Sequence, residues 1–190
     1  YTLFGASYTD IDDGYYRHYF YRYSIPNDNW ERLENTQNPK GQGAGDAITW
    51  VPASALGTES DWIYAIVGSD RGSSFWRYNI SDDNWSAAPG GFPWSKTDDG
   101  CSLVWTGDNY LYALRGEEPD GGPACYDFWR YNIISGAWEN RENIPAYPHS
   151  GGEGGVGDGG SLLWIGRGCS DYIYALSGNQ CVPEPIYDNR

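Results

Sequence analysis

The sequence predicts an all-β protein made of repeated four-stranded antiparallel units. Three observations lead to this prediction: three sequence elements recur in the same order along the 190 residues, the apolar residues lie in short runs, and no window has the spacing of an amphipathic helix. Aromatic residues form 17% of the chain, and side chains of this kind favour strands. Segments rich in Gly, Asp and Asn separate the runs, as turns between short strands require.

The first strand of each unit ends at a tryptophan. Three segments share a leading glycine, an apolar centre and this final tryptophan: Gly45–Trp50, Gly100–Trp105 and Gly159–Trp164. A short apolar run between turn formers predicts a strand that is largely buried.

The second strand has an apolar-Tyr-Ala-apolar pattern that closes at a glycine. Its copies are Ile63–Gly68, Leu111–Gly116 and Ile173–Gly178, and the opening Tyr1–Gly5 is similar to a fourth copy. The aromatic and β-branched residues suit a pleated, half-buried surface, and the closing glycine predicts a turn.

The third and fourth strands lie in one gap-free motif, Phe-aromatic-Arg-Tyr-x-Ile-x4-Trp. Its copies are Phe20–Trp30, Phe75–Trp85 and Phe128–Trp138. Successive copies are 55 and 53 residues apart, both at the arginines Arg22, Arg77 and Arg130 and at the tryptophans Trp30, Trp85 and Trp138. Turn formers precede each tryptophan, so we expect the fourth strand to start there.

Four short strands in a unit of roughly 50 residues is the period of a β-propeller blade. We therefore expect residues 1–190 to form a single β-propeller domain or a segment of one. The approximate blade units are 1–40, 41–95, 96–148 and 149–190. The chain then holds about three to four blades, and the blades at both termini are split.

The repeat resembles the kelch family. In that family a glycine closes the second strand, and a Tyr is later followed by six residues and a Trp; the pairs with this spacing are Tyr23 and Trp30, Tyr78 and Trp85, and Tyr131 and Trp138. The family's usual glycine pair is a single glycine here, at Gly68, Gly116 and Gly178, as in a divergent member of secreted or cell-surface type. The resemblance covers nearly the whole chain and implies four-stranded antiparallel blades. It does not imply one activity, because kelch-like propellers include enzymes, adaptors and surface proteins.

The number of predicted strands leaves three arrangements open. The chain is cut from a longer kelch array, it closes as a small four-bladed ring, or two or more chains complete one another's split blades. The third arrangement produces a closed oligomer or a fibre. The last residues, Ile186–Arg190, are a candidate start of one more third strand, and the absence of Met suits a processed product or a part of something larger.

The repeated Arg, Tyr and Trp side chains have a structural interpretation. Tyr and Trp can pack between blades while their one polar atom finds a partner, and an Arg between aromatics can stack on rings or reach an acidic loop. The alternative is that Arg22, Arg77 and Arg130 form a ring of ligand contacts. We favour the scaffold because a residue present in every blade usually serves the blade.

The four cysteines favour disulfides over a metal site. Cys101, Cys125, Cys169 and Cys181 contain no Cys-x2-Cys pair, which argues against zinc. Cys101 begins a first strand and Cys125 precedes a third strand of the same unit, so a Cys101–Cys125 disulfide is predicted at one end of a meander. Cys169 and Cys181 flank one strand, so their loops would have to fold back to bond. Free buried thiols are the alternative.

Two sequons, at Asn79 and Asn84, predict N-glycosylation. Asn84 lies in a predicted turn, which suits a glycan, and Asn79 lies near the end of a strand. The even number of cysteines, the scarcity of lysine and the many aromatic residues and glycines together favour an extracellular or cell-surface protein.

Charge and hydropathy exclude two classes of partner. A net charge of −14 argues against nucleic acid, and no apolar run reaches 18 residues, so no membrane-spanning segment is predicted. Asp10, Asp12 and Asp13 are candidate calcium ligands, although their spacing misses the EF-hand pattern by one residue. No other cofactor is predicted.

No catalytic set is recognisable in the sequence. His18 and His149 are the two histidines and both lie outside the repeat, while a Gly-x-Ser-x-Gly elbow and a phosphate-binding loop are absent. The glycine-rich segment Ser150–Gly160 predicts a flexible loop.

The function predicted first is a non-enzymatic, extracellular structural or adhesive kelch-like module. It self-associates, or joins neighbouring repeats of a longer chain, in an oligomer, a surface layer or a fibre. The alternative is a carbohydrate-binding propeller, in which Trp94 and Tyr147 of the non-repeated loops stack on sugar rings. A propeller enzyme is the third hypothesis and has the least support from the residues.

Overall fold

The computed structural model describes residues 2–4, 16–34, 36–38, 45–68, 72–117, 125–145, 147–149, 152–166 and 171–178. These residues form an all-β structure whose one helix is the single turn α1 (Ala53–Leu56). The strands are β1 (Thr2–Phe4), β2 (Tyr16–Ser24), β3 (Asn29–Arg32), β4 (Thr36–Asn38), β5 (Ala47–Val51), β6 (Trp62–Val67), β7 (Ser74–Asn79), β8 (Asn84–Ala87), β9 (Ser102–Trp105), β10 (Tyr110–Leu114), β11 (Phe128–Asn132), β12 (Ala137–Asn140), β13 (Tyr147–His149), β14 (Gly152–Gly154), β15 (Ser161–Ile165) and β16 (Tyr172–Leu176).

Two antiparallel sheets contain all four strands of the predicted unit. Sheet 2 has the order β5-β6-β7-β8, and sheet 3 has the order β9-β10-β11-β12. Equivalent residues are paired in both sheets: Arg77 lies opposite Tyr64, and Arg130 lies opposite Tyr112. The predicted four-stranded antiparallel unit is therefore confirmed.

The sheets at either end of the chain are built from part of the same unit. In sheet 1, β1 pairs with β2 and β2 with β3, and Leu3 lies opposite Phe20 as Ile66 lies opposite Phe75 in sheet 2. The segment at the start of the chain is therefore a second strand, as predicted. Sheet 4 consists of β15 and β16, the first and second strands of a unit.

Sheets 1, 2 and 3 each pack one face on the sheet that follows in the chain. We call this the forward face and the opposite one the backward face. The forward face of sheet 2 packs with the backward face of sheet 3 in one cluster that includes Tyr64, Ile66 and Phe75 from sheet 2 and Leu111 and Tyr131 from sheet 3. Apolar side chains lie on both faces of the central strands of sheets 2 and 3, because these two sheets are covered on two sides.

The preceding pair of sheets repeats this arrangement. Phe20 on the forward face of sheet 1 lies 4.9 Å from Tyr78, between ring centroids, on the backward face of sheet 2. The equivalent residues Phe75 and Tyr131 are also 4.9 Å apart between sheets 2 and 3. Edge-to-face aromatic pairs thus recur at equivalent places in successive interfaces.

The first strands of successive sheets are neighbours. β5 contacts β9, and β9 contacts β15. The Trp105 N–H donates to Thr49 Oγ1 over 3.2 Å, and the Leu162 N–H donates to Ser102 Oγ over 2.9 Å. In each case, a side-chain hydroxyl in the first strand of one sheet accepts a hydrogen bond from the backbone of the first strand of the next sheet.

Four elements of the described chain lie outside the predicted repeat: α1, β4, β13 and β14. β14 and Val156 also correct the prediction of a flexible loop over Ser150–Gly160. Val156 is 1% exposed and its N–H donates to the Cys125 carbonyl over 2.9 Å, so part of this segment is core.

Candidate functional site

The repeated arginines lie within their own sheets. Arg22 binds Glu31 and Arg130 binds Glu139, each over 2.7 Å and each across the third and fourth strands. Arg77 lies opposite Ser86 in that register, and its guanidinium lies 4.5 Å from the Trp62 ring centroid.

Arg130 has the same stacking contact, at 4.3 Å from the Tyr110 ring centroid. The pKa of Arg130 is raised, first by its hydrogen bond to Glu139, so the guanidinium stays charged. These contacts agree with the scaffold interpretation of the repeated arginines.

The repeated tryptophans bind the preceding unit wherever one lies behind them. Trp85 Nε1 donates to the Glu34 carbonyl over 2.8 Å, and Trp138 Nε1 donates to the Gly91 carbonyl over 2.9 Å. Trp30, in sheet 1, is exposed. The tryptophan at this position is therefore a docking residue between units.

A turn carboxylate completes the docking of sheet 2. Asp83 Oδ1 accepts from the Tyr78 hydroxyl over 2.6 Å and from the Glu34 N–H over 3.1 Å. In the next unit Gly136 takes the place of Asp83, and Pro89 takes the place of Glu34. Proline has no N–H to donate, so a carboxylate at position 136 would lack one of the two donors that Asp83 has.

At that interface the hydroxyl finds a different partner. Tyr131, the equivalent of Tyr78, donates its hydroxyl to the Pro89 carbonyl over 3.0 Å. Where proline replaces the residue whose N–H donates, glycine replaces the aspartate that accepts. The two replacements occur together at one interface, so this contact belongs to the packing of one sheet on the next.

A second set of tryptophans lies at or next to the ends of the first strands, and one of them borders a cleft. The set is Trp50, Trp105 and Trp164. The cleft lies between sheets 3 and 4, has a volume of about 370 Å³, and is lined by Thr106, Gly107, Asp108, Tyr112, Trp164, Asp171 and Ile173. Gly107 and Gly166 leave room for the Trp164 indole, because a Cβ on either would lie 2.8 Å or 2.6 Å from the ring.

The polar groups of this cleft differ from their equivalents in the earlier units. Trp50 Nε1 donates to Asp61 Oδ2 over 3.1 Å, and Trp105 Nε1 donates to the Asp108 carbonyl over 2.8 Å. Within the part of the chain that the structure describes, neither the Trp164 indole N–H nor the Asp171 carboxylate has a hydrogen-bond partner. The cleft therefore offers both a donor and an acceptor.

Acidic side chains meet at the opposite end of the same two sheets. Carboxylate oxygens of Asp99, Glu117 and Asp158 lie within 4.8 Å of one another. Burial and then the neighbouring carboxylates, beginning with a hydrogen bond to Asp158, raise the pKa of Asp99 to about 6. The pKa of Glu117 is raised as well, first by burial.

The predicted Cys101–Cys125 disulfide is not formed, since both cysteines are buried and neither takes part in a disulfide. The Cys101 thiol lies beside Thr97 and the Gly116 backbone, and burial raises its pKa to about 12. Cys125 instead pairs through its backbone with Val156 of the following unit. A thiol with so high a pKa stays protonated and is a poor nucleophile. Cys169 and Cys181 lie outside the described residues.

The two sequon asparagines differ in what their side chains bind. Asn79 ends β7, and its Oδ1 accepts from Ser60 Oγ over 2.6 Å and from the Ser81 N–H over 3.0 Å. Asn132, the equivalent residue of sheet 3, caps its own turn in the same way. Asn84 begins β8 and is exposed. The structure thus gives Asn79 a turn-forming role and leaves Asn84 accessible.

Trp94 does not lie in an accessible loop, which corrects its prediction as a sugar-stacking residue. It is 5% exposed, and its ring centroid lies 5.2 Å from Phe92 and 6.3 Å from Trp138. The segment after β8 turns back onto the core, because an apolar pair such as Phe92 and Trp94 is stabilised by burial.

Several predicted residues are not described in side-chain detail. Tyr147 and His149 lie in β13 and His18 lies in β2, and only their backbone is described. The predicted calcium ligands Asp10, Asp12 and Asp13 lie outside the described residues.

No protein-family model matches the chain, and no curated protein matches it. Among the described helical residues there is no stretch of the length and hydropathy that a membrane-crossing helix needs.

Proposed function

We propose that this chain is a kelch-like β-propeller segment that serves as a non-enzymatic extracellular structural or adhesive module and self-associates. The observation that carries the proposal is the repeated docking of one sheet on the next. The same aromatic pair recurs at one separation in two successive interfaces, as Phe20 with Tyr78 between sheets 1 and 2 and as Phe75 with Tyr131 between sheets 2 and 3. A module that stacks its units through one repeated interface can extend the stack by the same contacts.

Two further observations support this proposal. The neighbouring first strands β5, β9 and β15 follow one another as strands around a propeller axis do. Burial raises the pKa of the Cys101 thiol and of the Tyr131 hydroxyl, and both residues lie in the packed core. These two groups thus serve packing between units.

Electron microscopy of native material tests the proposal. We expect assemblies larger than one chain, with glycan attached at Asn84 in material from the natural source. Closed single-chain particles that hold a ligand in a deep polar pocket would refute it.

Carbohydrate binding at the cleft beside Trp164 is a second candidate function. The indole N–H of Trp164 and the carboxylate of Asp171, which have no hydrogen-bond partner among the residues that the structure describes, suit a ligand that both donates and accepts hydrogen bonds, as sugar hydroxyls do. An organic cation would use the carboxylates but would offer no acceptor to the indole N–H. The candidate site thus moves from Trp94 to Trp164.

A printed panel of neutral oligosaccharides of glucose, galactose, mannose and N-acetylglucosamine tests this candidate. We expect a sugar on the panel to bind, and Asp171→Asn and Trp164→Phe each to weaken its binding about tenfold, the loss of one hydrogen bond to or from the site. Glu142→Gln, at an exposed carboxylate outside the cleft, should bind as the parent chain does. No binding on the panel, or equal binding by all variants, removes the candidate.

A further inference from the structure

The forward face of sheet 4 is apolar and exposed. Its large side chains are Leu163, Ile165, Tyr172, Tyr174 and Leu176. They lie on one face because the register pairs Leu163 with Tyr174 and Ile165 with Tyr172 across β15 and β16. A contiguous apolar patch on a soluble protein usually marks an interaction surface.

The same positions are buried in sheet 2. Tyr174 is 55% exposed and Leu176 68%, whereas their equivalents Tyr64 and Ile66 are both 0% exposed beneath sheet 3. The patch on sheet 4 is therefore the forward face of a unit that, in the described chain, has no following unit on it.

The other end of the stack exposes the matching surface. On the backward face of sheet 1, Tyr23 is 39% exposed, Ile25 84% and Trp30 57%. The equivalents Tyr131 and Ile133 of sheet 3 are 0% and 6% exposed because sheet 2 covers them. Sheet 1 thus presents the surface onto which a forward face packs.

We propose that the forward face of sheet 4 packs on the backward face of sheet 1 of a second copy of this chain. This interface rests on the proposed self-association and specifies its geometry as head to tail. A second copy is the occupant that fits, because the described residues of one chain expose both of the faces that pack together inside it. It is the internal interface between units, continued from one chain to the next.

The internal interface predicts which residues meet. The ring centroids of Tyr64 and Tyr131 lie 6.0 Å apart between sheets 2 and 3. Tyr174 stands where Tyr64 does, and Tyr23 stands where Tyr131 does, so these two tyrosines are the expected contact between copies. Such a heterologous contact forms a ring if the rotation closes and a filament if it does not.

Two double variants of the full chain separate the faces. Tyr174→Lys with Leu176→Lys charges the forward face of sheet 4, and Tyr23→Lys with Trp30→Lys charges the backward face of sheet 1. All four residues are exposed, so circular dichroism should report intact folds. Ile134→Lys is the matched control, because Ile134 is 61% exposed in the turn between β11 and β12.

Sedimentation velocity measures the size of the oligomers formed by each variant and by a mixture of the two double variants. Only a head-to-tail contact lets the mixture associate when neither double variant does so alone. Parent chain and Ile134→Lys should form oligomers larger than a dimer, and each double variant alone should be monomeric. An equal mixture of the two double variants should form a dimer that grows no further, since one intact face of each kind remains.

The outcomes distinguish this interface from the function on which it rests. If the double variants oligomerise as the parent does, or if their mixture stays monomeric, the head-to-tail interface is wrong although self-association stands. A parent chain that is monomeric at every concentration overturns the interface and the proposed self-association together.

Discussion

Gly100 shows how closely successive units approach each other. Its φ is +85°, in the left-handed region, and a Cβ added to it would lie 2.0 Å from the Gly157 carbonyl oxygen of the next unit. Gly45 has the same φ and a Cβ there would lie 1.9 Å from the Asp98 oxygen. The glycines that lead the first strands of sheets 2 and 3 are therefore required by the neighbouring unit as well as by their own turns, whereas a Cβ on Gly159, which leads the first strand of sheet 4, would have no atom within 4 Å.

Gly100→Ala should lower the free energy of unfolding by more than Gly91→Ala does. Gly91 also has a left-handed φ, of +71°, but no atom lies within 4 Å of a Cβ built there. The Gly91→Ala control should lower the free energy of unfolding by about 1–2 kcal/mol, because a side chain disfavours the left-handed backbone. Gly100→Ala should lower it further, because the new methyl group also clashes with Gly157. Urea unfolding measures both losses, and equal values would show that the next unit does not press on Gly100.

Trp85→Phe should cost about 1 kcal/mol for its lost hydrogen bond and somewhat more for the smaller ring. The indole of Trp85 binds Glu34 of the preceding unit and is buried. Trp30→Phe is the control, since Trp30 is the equivalent residue and is exposed; it should change stability by less than about 0.5 kcal/mol. Similar losses in the two variants would contradict a docking role for this position.

At the scale of elements, the repeat was sufficient to predict the strands of each unit because their aromatic and apolar spacing recurs. β4 and β14 could not be predicted, since each depends on a partner segment rather than on its own pattern. The prediction that Trp94 stacks on sugars was wrong for the same reason, because aromatic rings of other elements bury this residue. Long-range contacts thus decide what lies outside the repeat.

The candidate cleft shows the same limit. The recurrence of Trp50, Trp105 and Trp164 is visible in the sequence, but their different hydrogen bonds are not. Only the placement of sheet 4 beside Gly107 shows that Trp164 borders an open cleft. The exposed faces of sheets 1 and 4 likewise become visible only by comparison with buried equivalents.

The acidic cluster between sheets 3 and 4 should make stability depend on pH. The pKa of Asp99 is raised to about 6 in the folded chain, so the fold binds a proton more tightly than the unfolded chain does. The contribution of Asp99 is therefore fully present below about pH 4 and is lost as the pH rises through about 6.

Asp99→Asn should raise the melting temperature at pH 7 and leave it nearly unchanged at pH 4. The variant removes one of three mutually repelling carboxylates and keeps a hydrogen-bond donor for Asp158. Thermal unfolding across this pH range, with a chelator present, measures the difference from the parent chain. A variant less stable than the parent at pH 7 would show that the Asp99 carboxylate is favourably bound there.

At the scale of the whole molecule, the described chain is a stack of sheets that ends in two complementary surfaces. The internal interfaces bury Tyr64 and Tyr131, and the ends expose their equivalents Tyr174 and Tyr23. A net charge of −14 opposes association at low ionic strength, so moderate salt should favour assembly by screening the repulsion. The apolar interface itself should weaken little with salt.

Electron microscopy of the purified full chain, over a range of concentrations at moderate salt, tests the central claim most directly. The account predicts rings or filaments in which sheets follow one another at one spacing, with no change where one chain ends and the next begins. Single-chain particles at every concentration, or assemblies joined through any other surface, would contradict it.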